Sequence, residues 1–277
     1  MPELPEVQTV VDDLYRSNLE GATIQKARIF WPRIIDGRSP KVFRRLIQGK
    51  TIGTIWRRAK FIVFDLIPDM HLLVHLRMTG HLHLADANLP RGPHEHLLLD
   101  LTDRRQLRFH DPRKFGRFYL VADTDELIGG LGPEPLDKRF TGRMLAQRLA
   151  SRQRMLKPLL LDQTFIAGLG NIYVDEALWQ AHLHPTQTAA RLTTEEIQRL
   201  YRAIRKVLRS ALTHGGTTLG RGQTTFYSVS RRTGRNRDQL NVFRRIHQPC
   251  PRCRTPIQRL VVGQRSSHVC PRCQPAP

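Results

Sequence analysis

The sequence predicts an α+β protein of two domains, with an N-terminal helix and antiparallel β-rich part followed by a helical part that ends in a metal-held hairpin. Three observations carry this reading. Near residue 130 the texture changes from short alternating strands with turn signals to segments of helical period. All four cysteines lie in the last 28 residues, as two Cys-x2-Cys pairs. Charge is unevenly spread, with 18 basic and 3 acidic residues in 191–277 out of 45 and 24 in the whole chain. The expected divisions are a sandwich or barrel over 1–130, a helical domain with a mobile loop over 131–245 and a cysteine-bound hairpin over 246–277.

The first helix follows from Leu4, Val7, Val10, Val11 and Leu14, which recur at helical spacing up to about Asn18, with Gly21 as the stop. From residue 22 to about 121 the pattern is β. Runs at 23–31, 51–56, 61–66, 71–84, 97–101 and 107–120 are punctuated by Gly37, Gly49, Pro68-Asp69, Gly80 and Asp103. Gly132-Pro133-Glu134-Pro135 marks the connection. Helices are expected at about 141–151, 155–162, 171–181 and 194–213. Residues 215–245, rich in Gly, Thr, Ser and Arg, read as a mobile loop over a binding surface. Gln258–Arg265 reads as a β-hairpin that presents Arg259 and Arg265.

The net charge of +21 is concentrated where a counter-ion is most needed, and 37 of the 45 basic residues are arginine. Arginine's planar fork suits phosphate, so a nucleic acid is the expected partner. No apolar run approaches the ~20 residues of a membrane span and no signal-peptide pattern is present, so the cytoplasm is the expected compartment. Cysteine used only in paired spacing points to a four-thiolate zinc ribbon through Cys250, Cys253, Cys270 and Cys273 rather than to disulfides. His247 and His268 are then not needed as ligands.

Several residues carry possible chemistry. If Met1 is removed, Pro2 becomes a free secondary amine with a reference pKa of about 7.7–8.0, able to form an iminium. Glu3 beside it is a candidate general acid or base; the alternative is a simple proline-led helix start. Lys60, in Arg57-Arg58-Ala59-Lys60, is a phosphate ligand or a catalytic acid, or simply a strand-edge lysine that guards against aggregation. His94-Glu95-His96 reads as a polar loop, with a two-histidine metal pair as the alternative. Arg113 and Phe115, in Asp111-Pro-Arg-Lys-Phe-Gly116, have the character of a groove-inserting pair, or form an ordinary turn with Phe115 in the core.

Taken in order, Met1-Pro-Glu-Leu-Pro-Glu-Val7, Arg57–Lys60, His75-Leu-Arg-Met-Thr-Gly80 and Asp111–Gly116 resemble the bacterial formamidopyrimidine-DNA glycosylase family, which also contains endonuclease VIII. Leu131-Gly-Pro-Glu-Pro-Leu136, Lys157-Pro158, Gly168-Leu-Gly-Asn-Ile-Tyr173, Gly215-Gly-Thr-Thr218 and the four cysteines continue the match over nearly the whole chain. The resemblance implies an N-terminal β-sandwich, a helix–two-turn–helix and one structural zinc ion. It implies a monomeric enzyme that removes oxidised purines such as 8-oxoguanine and formamidopyrimidines from duplex DNA, acts at abasic sites and cuts the strand by β,δ-elimination. By the same resemblance Pro2 is the nucleophile, Glu3 the proton donor for base loss, Lys60 the β-elimination donor and Arg265 the δ-elimination arginine. Met78, Arg113 and Phe115 fill the gap left by the flipped nucleotide, while His94, Arg113, Lys157 and Asn171 contact DNA. The chain departs from the family at Gln153, where several relatives are basic, and in a longer 220–241 loop. That loop leaves endonuclease VIII-like substrates as an alternative, and a non-enzymatic DNA-binding role is a second.

Overall fold

A computed structural model describes residues 2–220 and 226–277. Met1 and 221–225 lie outside the described residues, and with them part of the loop in which the chain departs from the family it resembles. The chain forms two compact units, 1–130 with 214–237, and 131–213 with 238–277. The segment 214–237, expected with the helical domain, thus groups with the N-terminal unit. Buried carboxylates on the first helix accept hydrogen bonds from Thr217, Ser230 and Arg232, and Val229 joins this unit's core with Phe226 packed beside it.

In the N-terminal unit α1 (Leu4–Arg16) buries Val7, Val10, Val11 and Leu14, each worth about 1.5–3 kcal/mol when removed from water. There follow β1 (Ile24–Ile29), β2 (Ile35–Asp36), α2 (Pro40–Ile47), β3 (Thr51–Arg58), β4 (Phe61–Ile67) and β5 (Met70–His75). The unit continues with β6 (His81–Asp86), β7 (Glu95–Leu101), β8 (Arg105–His110), β9 (Arg117–Val121) and the short α3 (Asp125–Ile128). One sheet has the order β1-β7-β8-β6, the other β2-β9-β5-β4-β3. Leu97, Leu99, Leu107 and Phe109 of the first share a core with Ile62, Phe64, Val74 and Phe118 of the second, so the two sheets form a sandwich. The runs 71–84 and 107–120 are each two strands, broken at Leu76–Gly80 and Asp111–Gly116. The β pattern concealed α2, whose start is signalled by Ser39-Pro40: Ser39 Oγ accepts the Val42 N–H at 3.3 Å and proline sits at the first helical position.

The second unit contains α4 (Gly142–Ala150), α5 (Leu156–Leu161), α6 (Asn171–Ala181) and α7 (Thr194–Thr213), close to the expected spans. Nine of the eleven residues of α6 are buried, which makes it the unit's central helix. The unit ends in the hairpin β10 (Gln258–Val262) and β11 (Arg265–Val269), paired from Gln258↔Val269 to Val262↔Arg265. Among the described residues no helix is long and apolar enough to cross a membrane.

Candidate functional site

Pro2 and Glu3 are buried just ahead of α1. What fixes them is Glu6, wholly buried one turn into the helix. Its Oε2 accepts the Glu3 backbone N–H at 2.8 Å and its Oε1 accepts the Thr217 N–H at 2.7 Å. One carboxylate therefore joins the amino end of the chain to a segment more than 200 residues away. Gly216 permits the approach: its φ is +80°, and a Cβ there would lie 2.9 Å from Glu6 Oε1. Sequence reading passed over Glu6, although a glutamate at the third helical position is the usual partner of an N-cap residue.

Lys60 lies in the two-residue turn between β3 and β4 and is 6% exposed. Arg57 donates to Ala59 O at 2.9 Å and to Gln8 Oε1 at 3.0 Å, which ties this turn to α1. Behind it His75 packs edge-on to Phe61, 4.9 Å between ring centres. Burial, then the Arg77 and Lys60 charges, hold the His75 pKa down to about 3. His75 is thus neutral, and its Nδ1 accepts the Arg77 N–H at 3.0 Å. The burial of Lys60 and its charged and polar surroundings do not suit an aggregation-guarding edge lysine.

Met78, Arg113 and Phe115 meet at the surface. Arg113 Nη1 is 3.4 Å from Met78 Sδ, and its guanidinium lies 4.8 Å from the centre of the Phe115 ring. Both apolar side chains are 43% exposed, so Phe115 is not a core residue. Beneath them Asp111, 1% exposed, organises the turn. Its Oδ2 accepts Gly116 N–H at 2.7 Å, its Oδ1 accepts from the Thr79 hydroxyl and from Arg113 N–H, and its own N–H donates to His94 O at 2.9 Å. His94 is exposed immediately before β7. His94 and His96 do not form a metal pair: His96 Nε2 is 2.9 Å from Asp111 O, and Glu95 between them turns to His83 Nε2 at 3.0 Å. Glu95 and His83 also line a cavity of about 420 Å³ with His81, His110, Tyr227 and Arg231. Burial and the neighbouring His110 press the His81 pKa down to about 4, so this wall carries a neutral imidazole at neutral pH.

In the second unit Arg265 is exposed at the start of β11. Asn171, the first residue of α6, donates from Nδ2 to Ser266 O at 3.0 Å. Lys157 is placed differently from the expectation. It is fully buried, and its ammonium donates to Asp175 Oδ1 and to Ser266 O, both at 2.6 Å. That geometry makes it a brace of the hairpin instead of an exposed phosphate ligand. Nothing in local spacing signalled Asp175.

The four thiols converge. Cys253 Sγ is 3.3 Å from Cys270 Sγ and 3.5 Å from Cys273 Sγ, and Cys250 Sγ is 3.9 Å from Cys273 Sγ. Such separations are too long for disulfides of ~2.05 Å and match four thiolates about 2.3 Å from one tetrahedral ion. Among the described residues this is the one set of three or more such side chains whose ligand atoms converge for a metal ion. The site fits a structural zinc ion with no open position. Arg252, stacked 3.7 Å from the Trp179 ring centre and donating to Trp179 O at 2.7 Å, fastens the ribbon to α6.

Comparison with known proteins places these features. The family model for the formamidopyrimidine-DNA glycosylase N-terminal domain matches residues 1–118, that for the glycosylase's H2TH domain 131–222, and that for the zinc finger found in FPG and IleRS 248–276. Proteins named formamidopyrimidine-DNA glycosylase from Protochlamydia amoebophila and Herpetosiphon aurantiacus are 47% and 44% identical to the chain. Each alignment covers 99% of this chain, and 99% and 100% of the respective relative. A crystal structure of a mutant Lactococcus lactis FPG in complex with a Fapy-dG containing DNA superposes with a TM-score of 0.91 at 35% identity, over 99% of this chain and 100% of that one. A Lactococcus lactis Fpg complex with DNA containing an abasic site gives 0.90 at 34%, with the same coverage.

Proposed function

The chain belongs to the formamidopyrimidine-DNA glycosylase family, and from that premise we propose that this DNA-repair glycosylase and abasic-site lyase works through Pro2, Glu3, Lys60 and Arg265 on oxidised purines in duplex DNA. The observation that supports the assignment is the pair of hydrogen bonds accepted by Glu6, one from the Glu3 N–H and one from the Thr217 N–H, which fixes the amino end as a nucleophile would need.

A base inside a duplex is out of reach, and turning it out costs a few kcal/mol. The exposed cluster of Met78, Arg113 and Phe115 has the shape and chemistry to offset that cost by filling the gap, with His94, Arg113 and Asn171 on the backbone. With Met1 removed, the Pro2 nitrogen attacks C1′ and the glycosidic bond breaks, its electron pair leaving with the base. Glu3 supplies the proton that assists base loss and opening of the sugar ring. The resulting iminium acidifies C2′: its proton passes to solvent, the C2′–C3′ double bond forms and the C3′–O bond breaks, Lys60 donating a proton to the departing 3′ phosphate. In a second elimination the C4′ proton passes to solvent, the C4′–C5′ double bond forms and the C5′–O bond breaks, releasing the 5′ phosphate with Arg265 beside it. Hydrolysis of the iminium frees Pro2. The zinc ion holds the hairpin together and takes no part in bond breaking. The enzyme acts as a monomer.

Borohydride treatment during incubation with an abasic duplex should trap a covalent adduct, which Pro2→Gly abolishes. No adduct with the wild-type protein would sink the covalent mechanism. Glu3→Gln should slow base excision by about 10²–10⁴-fold, the usual worth of a positioned general acid.

A further inference from the structure

We infer that Asp175 is the positioning residue for Arg265, and that it governs how far the strand-cutting reaction runs from the first elimination to the second. The inference rests on the role proposed for Arg265 above.

Asp175 lies on α6 one turn beyond Asn171 and is 2% exposed. Its two oxygens hold two different elements. Oδ1 accepts the Lys157 ammonium from α5 at 2.6 Å. Oδ2 accepts the backbone N–H of His268 at 2.9 Å and lies 3.0 Å from His268 Nδ1, which donates to it. Lys157 in turn donates to Ser266 O, which also accepts from Asn171. The residues one and three places after Arg265 are therefore held in register by a carboxylate, an ammonium and an amide. The far end of the hairpin is pinned as well. Its turn, Gly263-Gln264, takes φ of +55° and +61°, and Gly263 comes so close to Pro158 that a Cβ would lie 2.7 Å from its Cγ.

A buried ion pair is a costly device. Apolar residues of similar volume are commonly neutral or stabilising in its place, and directional register is the best-attested reason to keep one. Here that register is delivered to one strand, and the exposed end of that strand is Arg265. A guanidinium must meet the departing phosphate in bidentate geometry, which tolerates little displacement. Misplacing a group by about 1 Å, even from a remote change, costs up to about 10²-fold in rate. The first elimination does not draw on Arg265, so loss of the clamp should fall selectively on the second.

The test is the ratio of the two cleavage products on an abasic duplex, 3′-unsaturated aldehyde ends from β-elimination against 3′-phosphate ends from δ-elimination. Arg265→Ala sets the reference. Asp175→Asn, and the double variant Asp175→Asn with Lys157→Met, which removes the buried ammonium as well, are compared with it. Zinc content and melting temperature are recorded for each. The expected result is a fall in the δ/β ratio of about 10- to 10²-fold in both Asp175 variants, matching Arg265→Ala, with zinc retained and the double variant folded. A wild-type ratio in folded Asp175 variants, while Arg265→Ala loses δ product, overturns the inference alone. A wild-type ratio in Arg265→Ala overturns the role of Arg265 and the inference with it.

Discussion

Two buried aspartates organise the exposed arginines Arg113 and Arg265, and they do so in opposite ways. Asp111, in the N-terminal unit, sets the Arg113–Phe115 turn through a hydroxyl and backbone N–H groups, all neutral donors. Asp175, in the second unit, sets the Arg265 strand through a buried ammonium as well as His268. The first arrangement spends one charge among dipoles. The second needs two opposite charges that are each costly to bury alone. On the roles proposed above, a turn that presents a wedge can tolerate local play, whereas a strand that delivers a guanidinium to one phosphate must keep register.

The comparison breaks most readily at Asp175. Replacing it by Asn takes the carboxylate away from the buried Lys157 ammonium, for which the expected loss is about 3–5 kcal/mol of unfolding free energy. Adding Lys157→Met should return most of that stability. Denaturant unfolding of the zinc-loaded protein measures it, and a loss that the second substitution does not relieve would mean the ion pair is not the cause.

Asp111→Asn should cost less, about 1–3 kcal/mol, because it strips an acceptor from neutral groups and leaves no orphaned cation. Equal losses at the two positions would remove the distinction between them. Above this aspartate, Phe115→Ala should leave stability within about 0.5 kcal/mol, since the ring is half exposed, yet weaken binding to a lesion-containing duplex. Gel-shift titration beside thermal melting separates these effects. A large drop in melting temperature would return Phe115 to the core.

These contrasts also mark what could be read from sequence. The helices of the second unit and the cysteine ribbon follow from local spacing, because period and ligand geometry are short-range properties. The residues proposed as the wedge, Arg113 and Phe115, are legible from a basic–aromatic turn and the family pattern together. Local spacing could not have found Asp175 or the return of 214–237 to the N-terminal unit. Asp175 bonds partners 18 and 93 residues away, and Glu6 bonds one 211 away. Lys157 shows the same limit from the other side: a lysine beside a proline gives no sign that its charge is spent internally. Strand runs merged across Leu76–Gly80 and Asp111–Gly116 for a related reason, since those turns are set by Thr79 and Gly116 reaching a carboxylate that periodicity does not register.

A third carboxylate, Asp13, sharpens the comparison and carries the smallest expected effect. Its side chain is fully buried on α1, but its charged partners, Arg232 and Arg16, are more than 60% exposed. Burial alone would push its pKa up; hydrogen bonds from Ser228 and Ser230 and the Arg232 guanidinium hold it below the usual carboxylate range. Because the folded value is the lower one, the unfolded chain binds the proton more readily. Asp13 therefore stabilises the fold above its unfolded pKa of about 3.9, and that contribution is lost as pH falls through the depressed folded value. In Asp13→Asn the acid side of the stability profile should flatten, while near neutrality the 228–232 segment should become more susceptible to protease. The arginines keep their solvation when the carboxylate goes, so no buried cation is stranded as it is at Asp175. Parallel acid unfolding of wild type and Asp13→Asn would show that this latch adds nothing, and that only fully enclosed charge pairs shape the stability of the molecule.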